Sequence, residues 1–313
     1  MFELRINNRN YSFEPQTCND VLYESFHRGK CSKLSFNIAV KGQTNPQLSI
    51  REGDMVSLKA TGQKMFFGTV FQRKRNSDGV ERFIAYDQLR YLKNKDTYIY
   101  SGKKASEVVR MIALDYRLRF GKLEQTRCVI PHHIEDNVTL LDIIENALDF
   151  EFERSGQRFT LIDEFGSLTL KNESQMFSGV VLDKSVIGGL SFFSSIESRS
   201  NRVKVSRYDR SAGKREVFIA SDTDSENQLG VLQHYVRIGD KNESLSNRAY
   251  SLLALHNKDE RSILISNALG DAKIRGGSRV ILDLDEFKGS AMVLQCNHKL
   301  SENQHLMDLL VGI

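Results

Sequence analysis

Met55-Val56-Ser57-Leu58-Lys59-Ala60 and Met65-Phe66-Phe67-Gly68-Thr69-Val70-Phe71 read as two strands. Thr61-Gly62-Gln63 between them is a short Gly-containing loop suited to a β-hairpin. The pattern extends in both directions. Phe2, Leu4 and Ile6 alternate with polar residues, and Tyr11 and Phe13 follow an Asn7-Asn8-Arg9-Asn10 turn. Leu34, Phe36 and Ile38 again have period two, and an Asn76-Ser77-Asp78-Gly79 turn leads into Arg82-Phe83-Ile84-Ala85-Tyr86. Short strands at this spacing predict a sandwich or barrel over residues 1–98, interrupted only by a turn or two of helix around Asp87 to Leu92.

The period changes near Tyr100. Ala105, Val108, Val109, Ile112, Ala113 and Tyr116 predict a helix over 103–118, with Ser101 as its cap. A second helix is predicted over 140–150, where Thr139-Leu140-Leu141-Asp142 carries a capping signature. Cys128 to His133 reads as an exposed linker between the helices. Phe150, Phe152 and then Arg158 to Ile162 read as strand, Asp163-Glu164-Phe165-Gly166 as a turn, and Ser167 to Lys171 as the return. Residues 99–174 thus form an α/β module. From 175 to 313 the pattern is β again: Ser198–Tyr208, Lys214–Ala220, Gln233–Ile238, Ser262–Ala268, Arg279–Leu284, Met292–Lys299 and His305–Val311. One helix is predicted over 244–256 with Ser244 as cap, Gly276-Gly277 reads as a turn, and Ser221 to Asn227 reads as an acidic surface loop.

Composition narrows the function. The chain has 313 residues, 40% hydrophobic and 27% charged, with 21 Gly and 3 Pro, which excludes collagen-like and disordered classes. No run of about 18 apolar residues exists, so no transmembrane helix is expected. Cys18, Cys31, Cys128 and Cys296 are too scattered for a disulfide framework. The N-terminus lacks a signal-peptide layout, so synthesis in a reducing cytoplasm is expected. Forty-four basic against 40 acidic residues give a net charge of +4, interleaved along the chain, which argues against a dedicated nucleic-acid coat. The densest basic run, Arg73-Lys74-Arg75, reads as a solvated strand end.

Signatures of catalysis are missing: no phosphate-binding glycine loop, nucleophile elbow, zinc-protease motif or C-x-x-C occurs. Cys128 with His132 and His133 has metal-ligand chemistry but no fourth donor. Cys296, His298 and His305 could meet across a hairpin, where a hydrogen-bonded structural histidine is the expected outcome. Asp283 and Asp285, sharing a strand face and followed by Glu286, and the turn pair Asp163 and Glu164 are expected to be solvated. No catalytic, cofactor-binding or metal-binding residue is therefore assigned.

Glu52-Gly53-Asp54-Met55-Val56-Ser57-Leu58, Met65 to Val70 and Phe83-Ile84-Ala85-Tyr86-Asp87-Gln88-Leu89-Arg90-Tyr91-Leu92 resemble the first domain of phage baseplate hub proteins. The relatives meant are hubs of PBSX-like prophages and contractile bacteriocins, with the late control protein D and T4-type hub group. Tyr100 to Val108, Ile130-Pro131, Thr139 to Ile144, Gly166 to Leu170, Met292-Val293, His298 and His305 to Leu309 resemble later pieces in the same order. The resemblance implies a mainly β fold with two tail-tube-like β-barrel domains, at 1–98 and 175–313, and an attached α/β module. It implies a homotrimeric, pseudo-hexameric ring between a hexameric tail tube and a trimeric spike. Other implied partners are baseplate components, among them tape measure and LysM-type tail proteins. Residence in a virion or tail-like particle follows, with neither specific nucleic-acid binding nor membrane insertion. The alternative is a tail-associated cell-wall hydrolase.

Overall fold

The computed structural model describes residues 2–15, 18–39, 49–75, 79–209, 213–239 and 243–313. The turn expected at Asn76-Ser77-Asp78 and the side chain of Cys18 lie outside the described part. The chain is mainly β and divides into two compact units, residues 1–191 with 263–313, and residues 192–262.

The first unit begins with β1 (Phe2–Asn7), β2 (Ser12–Phe13), β3 (Cys18–Phe26), β4 (Lys33–Ala39), β5 (Met55–Ala60), β6 (Gln63–Arg75) and β7 (Val80–Tyr86). They lie in the order β2-β1-β5-β6-β7-β4-β3. The β5–β6 hairpin is where the sequence places it: Ala60 faces Gln63, and Thr61 (φ 50°) and Gly62 (φ 78°) form the two-residue turn. Two positive φ values match the right-handed twist of the flanking strands. The period-two positions Leu4, Ile6, Leu34, Phe36, Val56 and Leu58 are all buried in one core. Asp87 caps a 3-10 turn, Gln88–Lys93, the short helical piece expected there.

The α/β module follows as β8 (Lys95–Lys104), α1 (Ala105–Asp115), β9 (Phe120–Leu123), β10 (Val129–Thr139), α2 (Leu140–Ser155), β11 (Phe159–Asp163) and β12 (Leu168–Asn172). Its core gathers Val108, Val109, Ile112, Leu140, Ile143 and Ile144. Three readings are corrected here. Ser101 lies inside β8, and α1 is capped at Lys104, whose N–H donates to Glu107 (2.7 Å). The 128–133 linker is largely β10, whose Ile134 faces Ile99 across the ladder with β8. Phe150 and Phe152 belong to α2, which runs on until Gly156 (φ 71°) stops it. There, Arg154 stacks on Phe150 at the helical i, i+4 spacing that a period-two reading misses, and Arg158, past the helix end, stacks on Phe152. The predicted Asp163–Gly166 turn forms, with Glu164 N–H donating to Ser167 O (2.8 Å).

Next come β13 (Phe177–Asp183) and β14 (Gly189–Ser195); the sequence reading placed no strand at either. The 192–262 unit holds β15 (Arg202–Asp209), β16 (Lys214–Ser221), α3 (Thr223–Leu229), β17 (Gln233–Arg237) and α4 (Leu245–His256). Its sheet has the order β16-β15-β17, and Val203, Val205, Ala249 and Leu252 form its core. The acidic loop is in fact α3. Asp222 accepts from Ser225 N–H (3.1 Å) as N-cap, and acids early in a helix complement its dipole.

The chain closes with β18 (Glu260–Leu269), β19 (Arg279–Asp283), β20 (Lys288–Leu300) and β21 (His305–Gly312). The first half of β20 pairs with β19, and its second half pairs with β21 on one side and β3 on the other. One 13-stranded sheet therefore runs through both β regions. The C-terminal region keeps its own core, with Ile263, Val280, Leu282, Val293 and Leu309 fully buried.

Candidate functional site

The sequence-selected groups do not converge on a reaction centre. His132 and His133 are neighbours in β10, opposite Ser101 and Tyr100, so their side chains leave the ladder on opposite faces. His133 meets Glu135 (2.9 Å), while Cys128 N–H donates to Glu151 (2.7 Å). Asp283 ends β19 and pairs with Lys288 (2.7 Å), while Asp285 sits beyond the strand and pairs with Lys184. The expected shared strand face is thus corrected: the chain turns at Leu284, whose N–H donates to Phe287 O (3.0 Å). Arg73 grips Glu81 through two hydrogen bonds (2.9 and 2.7 Å) and Arg75 adds a third (2.6 Å), so the basic run is partly neutralised.

Cys296, His298 and His305 do meet. His298 Nε2 lies 2.8 Å from Ile274 O, and its Nδ1 lies 2.9 Å from His305 Nε2. Burial pushes His298 down to about 4, so the ring is neutral at pH 7. One arrangement satisfies both contacts: His298 Nε2–H donates to Ile274 O, and Nδ1 accepts from His305. Tyr23 stacks on the same ring at 5.7 Å. Cys296 is fully buried, and desolvation raises its thiol. We expect a maleimide to modify Cys296 only after unfolding, checked by peptide mass mapping of native and denatured protein. Native labelling at Cys296 would contradict this packing. Among the described residues, no group of three or more His, Cys, Asp or Glu is placed to hold a metal ion.

One buried charged cluster went unread in the sequence. Asp163 was expected in solvent; it is only 4% exposed, and the expectation holds for Glu164 alone. Asp163 accepts from Gly166 N–H (2.6 Å) and the Gln88 side chain (3.2 Å). Asp87 is 2% exposed and accepts from Ser32 N–H (3.0 Å) and Leu89 N–H (3.1 Å). Burial, reinforced by the neighbouring Asp163, raises Asp87 to about 7. Arg275, from the loop before β19, donates to Asp163 O (2.9 Å), and its charge favours the ionised form of both acids. The cluster joins the first β region, the α/β module and the C-terminal β region. The Tyr86-Asp87-Gln88-Leu89 string and the Arg275-Gly276-Gly277 loop were its visible traces. Two buried acids locked by backbone donors suit a structural tie better than proton transfer.

The outer surface offers contacts of another kind. β13 pairs with β19 alone among the described residues, and its Phe177 and Val181 are more than half exposed. β14 ends the sheet and exposes Phe192 and Phe193. In the 192–262 unit, Val217, Ile219 and Tyr235 lie on strand positions alternate to those packed under α4 and are exposed. Uncovered apolar edges of this kind are surfaces for another protein chain.

Comparison with known proteins agrees with this picture. Residues 21–312 match the YQBQ-like family. The chain is 27% identical to YqbQ of Bacillus subtilis (strain 168), and 29% identical to the phage-like element PBSX protein XkdQ of the same organism. Each alignment spans 283 residues, 88% of this chain and 86% of the relative. A tail protein from Neisseria meningitidis MC58 has a similar fold, with a TM-score of 0.72 at 13% identity, covering 100% of this chain and 96% of the other. The E. coli c3393 protein, a type VI secretion component described as similar to T4 tail proteins gp27 and gp5, gives 0.57 at 10% identity over 99% of this chain and 76% of its own. The chain thus belongs to the YQBQ-like family, whose PBSX member is a phage-element protein, and it has the mainly β fold of phage tail and baseplate proteins.

Proposed function

We propose that the protein is the baseplate hub of a contractile phage tail or tail-like particle. Three copies form a closed ring, and the two β regions of each copy, 1–98 and 175–313, together present six tube-like units. Such a ring meets a hexameric tail tube on one side and a trimeric spike on the other. The observation that carries this reading is strand β20. It pairs with β19 and β21 in one β region and with β3 in the other, so two separate cores are fixed in one register. A pseudo-hexamer built from trimers needs that rigidity. The exposed strands β13 and β14 are the edges a neighbouring copy would cover, through a head-to-tail contact that closes at three. The role is structural rather than hydrolytic, in a particle assembled from tube, spike, tape-measure and LysM-type components.

Light scattering over a dilution series tests the ring. We expect a species of three times 35.7 kDa, alone or once spike protein is added. A stable dimer would overturn the proposal, as would a monomer that persists with tube and spike present.

A further inference from the structure

A cleft of about 360 Å³ separates the first β region from the α/β module. Its floor is Phe67, Gly68 and Thr69 of β6 with Tyr86 of β7. Tyr91 from the 3-10 turn forms one wall, and Tyr116, Arg117, Leu118 and Arg119, between α1 and β9, form the other. The aromatic lining continues outward: Phe165 packs on Phe67 (5.5 Å), and Phe71 packs on Tyr86 (5.6 Å) and Tyr91 (5.8 Å). The volume suits one or two large side chains.

Four cations surround this lining. Arg117 and Arg119 belong to the wall, Lys64 stands 5.0 Å over Phe165, and Arg90 stands 5.4 Å over Phe71. None of them forms an ion pair with another described residue. The acids bonded nearby are already engaged: Asp163 holds the Gly166 turn, Asp96 accepts from Tyr116 Oη (2.9 Å), and Glu164 pairs with Lys171. In a chain of nearly balanced charge this is a local positive excess beside an aromatic surface.

The backbone supplies an independent sign. Arg117 has φ 53° just past the end of α1, where glycine is the usual residue. Phe165 has φ 52° at the first central position of its tight turn, where asparagine is usual. Both residues occupy conformations that their side chains disfavour, and both stand at this cleft. Strain of this kind gathers where a side chain is needed for another purpose.

We propose that the cleft docks an acidic, extended segment of another protein, with an apolar or aromatic side chain seated among Phe67, Tyr86 and Tyr91. Carboxylates on either side of that anchor meet Arg117 and Arg119. The four cations come from three elements, Lys64 from β6, Arg90 from the 3-10 turn and Arg117 with Arg119 from the α1–β9 connection, a layout that matches a peptide carrying several charges better than one small anion. The cleft lies within one copy, so the proposal stands or falls independently of the ring.

Fluorescence anisotropy on the full chain tests it, using labelled nonapeptides with Asp and Glu flanking a central Phe-Leu pair. We expect saturable binding that weakens with salt. We also expect at least tenfold loss when the acids become Asn and Gln, or when Phe-Leu becomes Ser-Ser. Arg119→Glu should lower affinity at least tenfold. Arg117→Gly should lower it severalfold while leaving the thermal midpoint unchanged or higher, because glycine fits φ 53° without strain. Absence of saturable binding, equal binding of the control peptides, or unchanged affinity in both variants would overturn the proposal. Competition by inorganic phosphate as effective as by the peptide would reduce the cleft to an anion site and would also overturn it.

Discussion

Replacing Arg275 with Met should destabilise the protein by about 3–5 kcal/mol at pH 8, and by clearly less at pH 5. Asp87 and Asp163 are both buried, and Arg275 is the cation whose charge acts on both. Without it, any charge on the pair is uncompensated, and removing one partner of a buried ion cluster is costly. The pH dependence follows from Asp87, raised to about 7 in the folded chain by burial and by Asp163. An unfolded aspartate ionises near pH 4. Between those values the native state holds a proton that the unfolded state has released. Stability conferred by this group is therefore complete below about pH 4, declines as pH rises, and is lost above about pH 7. The decline is on the order of 4 kcal/mol for a displacement of about three pH units. At pH 5 Asp87 is largely protonated in the native state, so the lost guanidinium matters less. Urea unfolding at both pH values, with Asp87→Asn as the flattened reference, measures the difference. An equal loss at pH 5 and pH 8 would show that Arg275 acts by packing alone.

The β5–β6 hairpin, α1, α4 and the closing pair β20–β21 were legible in the sequence, because period two or period 3.6 is written in consecutive residues. Strands β8 and β10 were not. Their ladder pairs residues from Val129 with Lys104 to Thr139 with Lys95, far apart in the chain, and β10 carries charges and histidines that read as linker. The acidic run 222–226 read as loop, although Asp222 four residues before Glu226 has the chemistry of a helix start, and Arg202 holds Glu226 through two 2.8 Å bonds. That Cys296 and His298 share one strand face, with a hydrogen-bonded structural histidine there, was legible from their spacing. Asp87, Asp163 and Arg275 were not, since each is unremarkable locally and only tertiary contact makes it a buried charge.

Gly276→Ala should cost 3 kcal/mol or more, and Gly277→Ala only about 1 kcal/mol, although the two glycines are adjacent. A Cβ on Gly276 would lie 2.2 Å from the carbonyl carbon of Phe26 and 2.6 Å from its Cα and N. Those are backbone atoms of β3 and cannot move aside as a side chain could. Around them, Gly276 N–H donates to Ser25 Oγ (2.9 Å), His27 N–H to Leu294 O (2.9 Å) and Gly277 N–H to Val293 O (2.8 Å). The loop is thus pressed onto the seam where β3 and β20 join the two β regions. At Gly277 the nearest atom to an added Cβ is the terminal methyl of Met176, at 3.0 Å, and the main cost is φ 89°. Urea unfolding would rank the two variants. Hydrogen exchange on Gly276→Ala should show protection lost first at the amides of His27 and of residue 276, because these two bridge the seam. The reverse ranking, or loss confined to the β13–β19 edge, would mean that the seam is not what ties the regions together. The fixed register that the ring proposal depends on would then need another source.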